Sequence, residues 1–285
     1  MTVGVCFLCY YWPMTEYCYL NGEVILLDEA KVSVTDIGIE RGYGIYDGLT
    51  AFRTEVFRFA DHWNRFVEGA HALNLNIPMT EEKCHLVIKE LLAKNGYERS
   101  IIRIVLTGGR TIAGIDYDFS KPTFYILVEK WEPLPREIYE KGTKLATYNF
   151  KREMPEFKTT NYIQAVNLQN WRREEKAIEI LYVYDGEVLE CATSNIFLVK
   201  GEKIITPAEN MLKGITRKAV MEMRQVEERV VLESELKEAD EVFITSSFKD
   251  IVPIVKIDDY EIGNGVVGKI TKEIMAEFAK ILNLS

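Results

Sequence analysis

The sequence is poor in metal-binding residues. It has 3 histidines, His62, His71 and His85, and 5 cysteines, Cys6, Cys9, Cys18, Cys84 and Cys191. Cys6 and Cys9 form a C-x-x-C, but no second ligand pair follows, so neither a metal site nor a redox dithiol is expected. The odd cysteine count lacks the spacing of a disulfide framework. It fits a reducing compartment, and a cytoplasmic location is expected. Positive charge is scarce too: 35 basic residues face 44 acidic ones, for a formal net charge of −9. No basic run offsets that balance, which argues against broad binding to nucleic acid or to an anionic membrane. Long apolar runs are also missing. The opening "MTVGVCFLCYYWP" is too short to span a bilayer and lacks the basic start of a secretion signal. Met14 stands directly before the first hairpin, and residues 1–16 are expected to be an extension.

What is present describes an ordinary globular chain. Hydrophobic residues make up 47% of 285 residues, enough for two modest domains with cores of their own. Turn signals punctuate the chain. Asn21-Gly22 in "YCYLNGEVILLD" and Asp185-Gly186 in "IEILYVYDGEVLE" each separate two apolar runs, as in β-hairpins. "LTAFRTEVFRF" and "SNIFLVKGEKIITP" read as further hairpins. Asp61 is expected to cap a helix whose Trp63, Phe66, Ala70 and Leu73 fall at helical spacing. Thr80 starts a second helix that Gly96 closes. The strands "SIIRIVLTGG" and "TFYILVEK" follow. "WEPLPREIYEKG", with Pro133 and Pro135, marks a boundary. Residues 17–131 are therefore expected to form a small domain, 132–142 a linker and 143–285 a larger domain. In the second half, strands surround a helix opened by Gly214, and a closing helix is expected over about 267–282. The class is α+β, with hairpins outnumbering βαβ units.

Several residues invite chemistry, though each has a plain alternative. In "EFKTTNYIQAV", Lys158 precedes Thr159 and Thr160, either of which could cap a following helix. An amine beside a helix N-terminus and Phe157 would have a lowered pKa, as Schiff-base lysines do; most lysines, however, are solvated. Glu190 lies between Leu189 and Cys191, either as a surface or capping acid or as a counter-charge for a protonated heterocycle. "KGITRK" offers the helix-start N–H groups of Ile215 and Thr216 to an anion, and "ITSS" adds the hydroxyls of Ser246 and Ser247. Arg65, on its helix, is solvated or grips a phosphate. Arg103 sits between apolar neighbours in a strand and calls for an anion, a protein carboxylate or a substrate. Arg41 opens "RGYGIYDGL", whose glycines and projecting Tyr43 and Tyr46 read more as a site wall than as a core strand.

Taken in order, these pieces resemble the class IV transaminases, pyridoxal-phosphate enzymes of fold type IV. That group includes branched-chain and D-amino acid transaminases and aminodeoxychorismate lyase. The resemblance runs from about Tyr17 to the C-terminus. It implies a small N-terminal α/β domain, a larger pseudo-barrel domain and a homodimer. It also implies that Lys158 holds pyridoxal 5'-phosphate as a Schiff base and moves the substrate proton. Glu190 would pair with the ring nitrogen, and Tyr162 with the ring oxygen. Arg65, Ile215, Thr216, Ser246 and Ser247 would hold the phosphate. The sequence departs from the family in having Lys213 before G-I-T, a segment before Tyr162 one residue shorter than in branched-chain enzymes, and an arginine at position 41. The R-x-H carboxylate trap of D-amino acid transaminases is missing from "TGGRTIAGIDYD". Arg41 and Arg103 are expected to replace it, with Tyr46, Ser246 and Ser247 also contacting the substrate. The expected reaction is transamination between a D-amino acid and a 2-oxo acid. The alternatives are branched-chain L-amino acids or (R)-amines, a lyase reaction, and a relative of the fold without turnover.

Overall fold

Turn chemistry sets the first strands in place. In the computed structural model, which describes residues 16–284, Asn21 and Gly22 take φ of 47° and 117°. Strands Tyr17–Leu20 and Glu23–Leu26 pair across them. Residues 1–15, with Cys6 and Cys9 and most of the expected extension, lie outside the described residues. The first hairpin enters a six-stranded sheet in the order Glu23–Leu26, Tyr17–Leu20, Thr123–Lys130, Arg99–Thr107, Gly44–Phe52, Glu55–Val56, antiparallel throughout. Alternation decides its two faces. Ile102, Ile104 and Leu106 are buried under helices Phe59–Ala72 and Glu81–Asn95, together with Trp63, Phe66 and Ala70. Ile101 and Arg103 face the other way and are only partly covered.

Two local expectations change here. Asp61 is not the helix cap: Arg58, at φ 49°, precedes Phe59, and Asp61 lies in the first turn, where its charge suits the helix's positive end. The glycine-rich "GIYDGLTAF" is a core strand, Gly44–Phe52, paired along its length with Arg99–Thr107. It is also a wall of the site, because alternate residues face opposite sides. Thr80 and Gly96 bound their helix as expected, with Thr80 Oγ1 accepting from Lys83 N and Gly96 left-handed at φ 67°.

The second sheet has nine strands, drawn from Thr143–Glu261, with parallel and antiparallel pairs. It curls on itself. Val188 N donates to Val231 O and Glu233 N to Gly186 O, both at 2.8 Å, so the chain beyond the last strand of the order, Val226–Arg229, returns to the first, Glu187–Cys191. Ile196, Leu198, Val242 and Ile244 fill the inside; Phe197, Val199 and Phe243 face helices Ile215–Met223 and Lys269–Leu284 on the outside. Burial on both faces explains the near-continuous apolar runs of these strands. The segment 132–142 contains helix Arg136–Lys141, whose Ile138 and Tyr139 pack on the inner core. Among the described residues no helix is long and apolar enough to cross a membrane.

Candidate active site between the two sheets

The Lys158 segment is held by the first sheet. Tyr46 N donates to Lys158 O, and Thr160 N to Gly44 O, each at 2.9 Å, so residues 158–160 bridge the end of strand Gly44–Phe52. The Thr160 hydroxyl donates to Gly42 O at 2.8 Å. The threonines therefore do not cap a helix. The next helix, Ile163–Asn167, starts after Tyr162 and has no side-chain cap. This overturns the expected cause of a lowered amine pKa, and its direction as well. Burial alone would push the Lys158 ammonium down, but the Tyr162 and Tyr46 phenols and Asp47 hold it above its ordinary value. Its Nζ sits 4.5 Å from the centre of the Tyr46 ring. The Tyr46 hydroxyl donates to the Tyr162 hydroxyl at 2.7 Å. Burial pushes Tyr46 up to about 12, whereas the ammonium overcomes burial and lowers Tyr162.

Lys158 opens into a cavity of about 160 Å³ between the sheets, which Tyr46, Tyr162, Arg65, Glu190, Ser246 and Ser247 also line. Glu190 is 5% exposed. Its Oε1 accepts from Arg152 Nε at 2.7 Å, and its Oε2 from Leu212 N at 3.0 Å. Burial raises its pKa, and Arg152 offsets only part of that rise. Arg152 also donates to Pro155 O and Phe157 O, tying the approach to Lys158 to the same acid.

Arg65 is not solvated. Its Nε and Nη2 bond Asp47 Oδ2 and Oδ1, both at 2.8 Å, and His62 Nδ1 lies 2.7 Å from Asp47 Oδ1. Asp47 is fully buried. Burial would raise its pKa, yet Arg65 and His62 hold it well below the usual carboxylate range. Burial also lowers His62, outweighing the attraction of Asp47. Arg65 Nη1 remains directed at the start of helix Ile215–Met223, donating to Lys213 O at 3.2 Å. Ile215 and Thr216 are buried at that start, and their first-turn N–H groups have no intrahelical acceptor. Gly214 is needed for a reason other than ligand approach: a side chain there would collide with Asn195 Oδ1.

The donors fit a phosphate-bearing heterocycle. Thr245 Oγ1 is buried on the cavity wall without a hydrogen-bond partner, a site a ligand oxygen would satisfy. Arg65 and the serine hydroxyls line the cavity as donors suited to an anion, the helix start adjoins them through Lys213 O, and Glu190 is an acid suited to a ring nitrogen. Among the described residues no cluster of metal-ligating side chains occurs.

Four expected residues are not among those lining this cavity: Ile215 and Thr216, which adjoin it through Arg65 and Lys213 O, and Arg103 and Arg41. Arg103 bonds Glu129 on the neighbouring strand, each about two-fifths exposed (41% and 42%), and Arg41 is exposed, donating to Glu40 O at 2.8 Å. Sequence reasoning in turn missed Asp47, Arg152 and Lys249, and it read "ITSS" as a source of hydroxyl donors without singling out Thr245. Lys249 bonds the buried Glu179 and, at 2.7 Å, Thr193 Oγ1. An acid inside an apolar strand was a signal for Asp47; "KREMP" and "SSFKD" carry none for the two cations.

Comparison with known proteins agrees with this architecture. The family model for class IV amino-transferases matches residues 44–257. A putative branched-chain-amino-acid aminotransferase of Methanocaldococcus jannaschii is 34% identical over 278 residues, covering 92% of this chain and 95% of that one. A D-alanine aminotransferase of Staphylococcus haemolyticus is 31% identical, covering 93% and 97%. A branched-chain amino acid aminotransferase from T.th., solved with pyridoxamine 5'-phosphate, superposes with a TM-score of 0.88 at 25% identity, covering 94% of each chain. With the family model spanning both sheets and relatives aligned along nearly their whole length, the chain belongs to the class IV aminotransferases.

Proposed function

We propose that this chain is a pyridoxal 5'-phosphate-dependent transaminase that moves an amino group between a D-amino acid and a 2-oxo acid, 2-oxoglutarate or pyruvate. The observation that carries the cofactor reading is the convergence of Lys158, Glu190, Arg65 and the orphaned Thr245 hydroxyl on one cavity. Bound there, the cofactor supplies an electron sink for charge developing on the substrate carbon. The residues supply the rest. Lys158 would hold the cofactor through its amine and, when deprotonated, would move the substrate proton, the neighbouring phenols Tyr46 and Tyr162 being the groups that set its charge. Glu190, fixed by Arg152, keeps a ring nitrogen protonated. Tyr162, polarised by Lys158, donates to or accepts from a ring oxygen. Arg65, the N–H groups of Ile215 and Thr216, and Ser246 and Ser247 hold the phosphate, and Asp47 fixes the fork of Arg65.

For the substrate, Arg41 and Arg103 are the carboxylate partners. Arg103 faces the second domain from strand Arg99–Thr107, opposite Gly48. Its exposed pair with Glu129 is the kind that contributes little, so a substrate carboxylate can replace Glu129 at small cost. Arg41 adjoins Gly42, whose carbonyl holds the Thr160 hydroxyl, which puts it beside the Lys158 segment. The exposed apolar Val34, Ile39, Ile112 and Ile115 flank this side, and a second copy of the chain covering them accounts for their exposure. We therefore assign a homodimer, and domains at 17–131 and 143–285 with 132–142 between them.

The test is a donor panel with D-alanine, D-glutamate, L-leucine and (R)-phenylethylamine against 2-oxoglutarate, after borohydride trapping of the cofactor. Turnover of L-leucine alone would overturn the substrate assignment in favour of the branched-chain activity named for the Methanocaldococcus relative. A wild type that never yellows, or is trapped equally well as Lys158→Ala, would overturn the site.

A further inference from the structure

The chain that joins the two domains also grips the turn lining the cavity. Trp131 Nε1 donates to Phe248 O at 2.9 Å, and the Tyr139 hydroxyl donates to Lys249 O at 3.1 Å. Arg99 Nη2 bonds Asp250 Oδ1 at 2.6 Å, and Trp131 lies over that guanidinium, 3.7 Å from ring centre to Cζ. Phe248, Lys249 and Asp250 are thus each held from outside the second sheet. On its inner side the same turn presents Ser246, Ser247, Phe248 and Lys249 to the cavity. The Phe248 ring packs where a side chain at Gly48 would be, 2.6 Å from the position of its Cβ.

From within the second sheet the turn is held by the Ser246–Asp250 pairing and by the Lys249 ammonium on the buried Glu179 and Thr193 Oγ1, whereas the carbonyls of Phe248 and Lys249 accept from Trp131 and Tyr139 outside it. Lys249 N also donates to Ser246 Oγ at 3.2 Å, and Asp250 adopts left-handed φ of 58°, as aspartates at turns often do. Behind it lies a separate interdomain cavity of about 290 Å³, lined by Tyr139, Arg99, Asp250, Phe57, Met275 and Phe278 among others. Asp250 borders that space, so the outer end of the turn has room to shift once its tethers are cut. Trp131 and Tyr139 are themselves only partly buried. Their loss exposes carbonyls that water can reach, so it costs the fold less than it costs the placement of the turn.

We infer that Trp131 and Tyr139 are positioning residues: by holding the Phe248 and Lys249 carbonyls they fix the Ser246–Lys249 turn and set the affinity of the cavity for the anionic groups of cofactor and substrate. This rests on the reading of the Lys158 cavity as the cofactor and substrate site. It adds that the connection between the domains helps to build that site.

The test uses Trp131→Phe, Tyr139→Phe and the double variant. Each single change removes one hydrogen bond and is expected to raise the dissociation constant of pyridoxal 5'-phosphate for the apoprotein, read by absorbance, and the KM of the amino donor by about fivefold. The turnover number is expected to change less. Amide hydrogen exchange in the apoprotein is expected to quicken at 246–250 and to stay as in wild type across strand Thr143–Asn149. Should Trp131→Phe not fold, Tyr139→Phe, which leaves the stacking on Arg99 in place, carries the same measurements. Wild-type exchange at 246–250 in the double variant would overturn the tether, as would unchanged cofactor affinity and donor KM beside an active wild type. A wild type that binds no cofactor sinks the functional reading instead, and the exchange experiment still decides the tether.

Discussion

Replacing Arg152 with methionine tests the electrostatic design of the site. The guanidinium is nearly buried, and its partner Glu190 is 5% exposed. Arg152→Met leaves that carboxylate without its cation, a change that typically costs about 3–5 kcal/mol. Glu190 can escape by taking up a proton, and the cost of that route follows from its ordinary value of 4.5. Protonating such an acid costs about 3.4 kcal/mol at pH 7 and about 2 kcal/mol at pH 6. Both routes thus give a similar deficit at neutral pH, but only protonation makes the deficit depend on pH. The sign follows from proton counting. A carboxyl with a folded pKa above its unfolded value binds more protons when folded, so stability is lost as pH rises between the two. Glu190 is raised in the wild type too, which therefore slopes the same way; removing Arg152 raises it further, so the deficit of Arg152→Met should shrink on acidification by at most about 1.4 kcal/mol per pH unit. Urea unfolding of the apoprotein between about pH 5.5 and 7.5 measures it. Adding Glu190→Gln should abolish the slope while leaving the smaller, pH-independent loss of the bonds to Pro155 O and Phe157 O. A deficit that stays constant with pH, or a variant as stable as wild type at pH 7, would refute the argument. Activity should fall in parallel, because a neutral Glu190 no longer balances a positive ring nitrogen.

Two further outcomes follow from single buried groups. Thr245→Val removes an unpartnered hydroxyl, so the apoprotein should be as stable as wild type or more stable, by up to about 1–3 kcal/mol, while cofactor affinity falls; weaker folding with unchanged affinity would show that the hydroxyl does not serve a ligand. His62 is held neutral by burial, below its ordinary 6.5. It binds fewer protons folded than unfolded, so stability should decline as pH falls below about 6.5, with a slope that His62→Gln removes; thermal melts of both proteins from pH 7.5 to 5 check it.

The Asn21-Gly22 and Asp185-Gly186 hairpins, the helix closed by Gly96 and the longer strands of both sheets were legible in the chain because turn residues and apolar periodicity act over a few neighbours; the short strands Val226–Arg229 and Tyr260–Glu261, too polar and too brief to show a pattern, were not. The order of Arg65, Lys158, Glu190 and Gly214–Thr216 along the chain was legible too, and it carried the family resemblance. Lys158 shows where such reading stops. Its neighbours suggested a helix start and a depressed amine; the structure bridges it to strand Gly44–Phe52 and sets it against two phenols that raise it. Each deciding contact is remote in sequence: Tyr46 with Tyr162, Asp47 with Arg65, Arg152 with Glu190, Trp131 with Phe248. Arg103 made the same point in reverse, since the anion it called for was Glu129 on the adjacent strand. Local sequence determined the elements and the residue types that could do chemistry. Which charges are paired, which amine is free and what holds the site turn were decided by packing two sheets face to face, because burial and Coulomb interaction depend on distance in space and not along the chain.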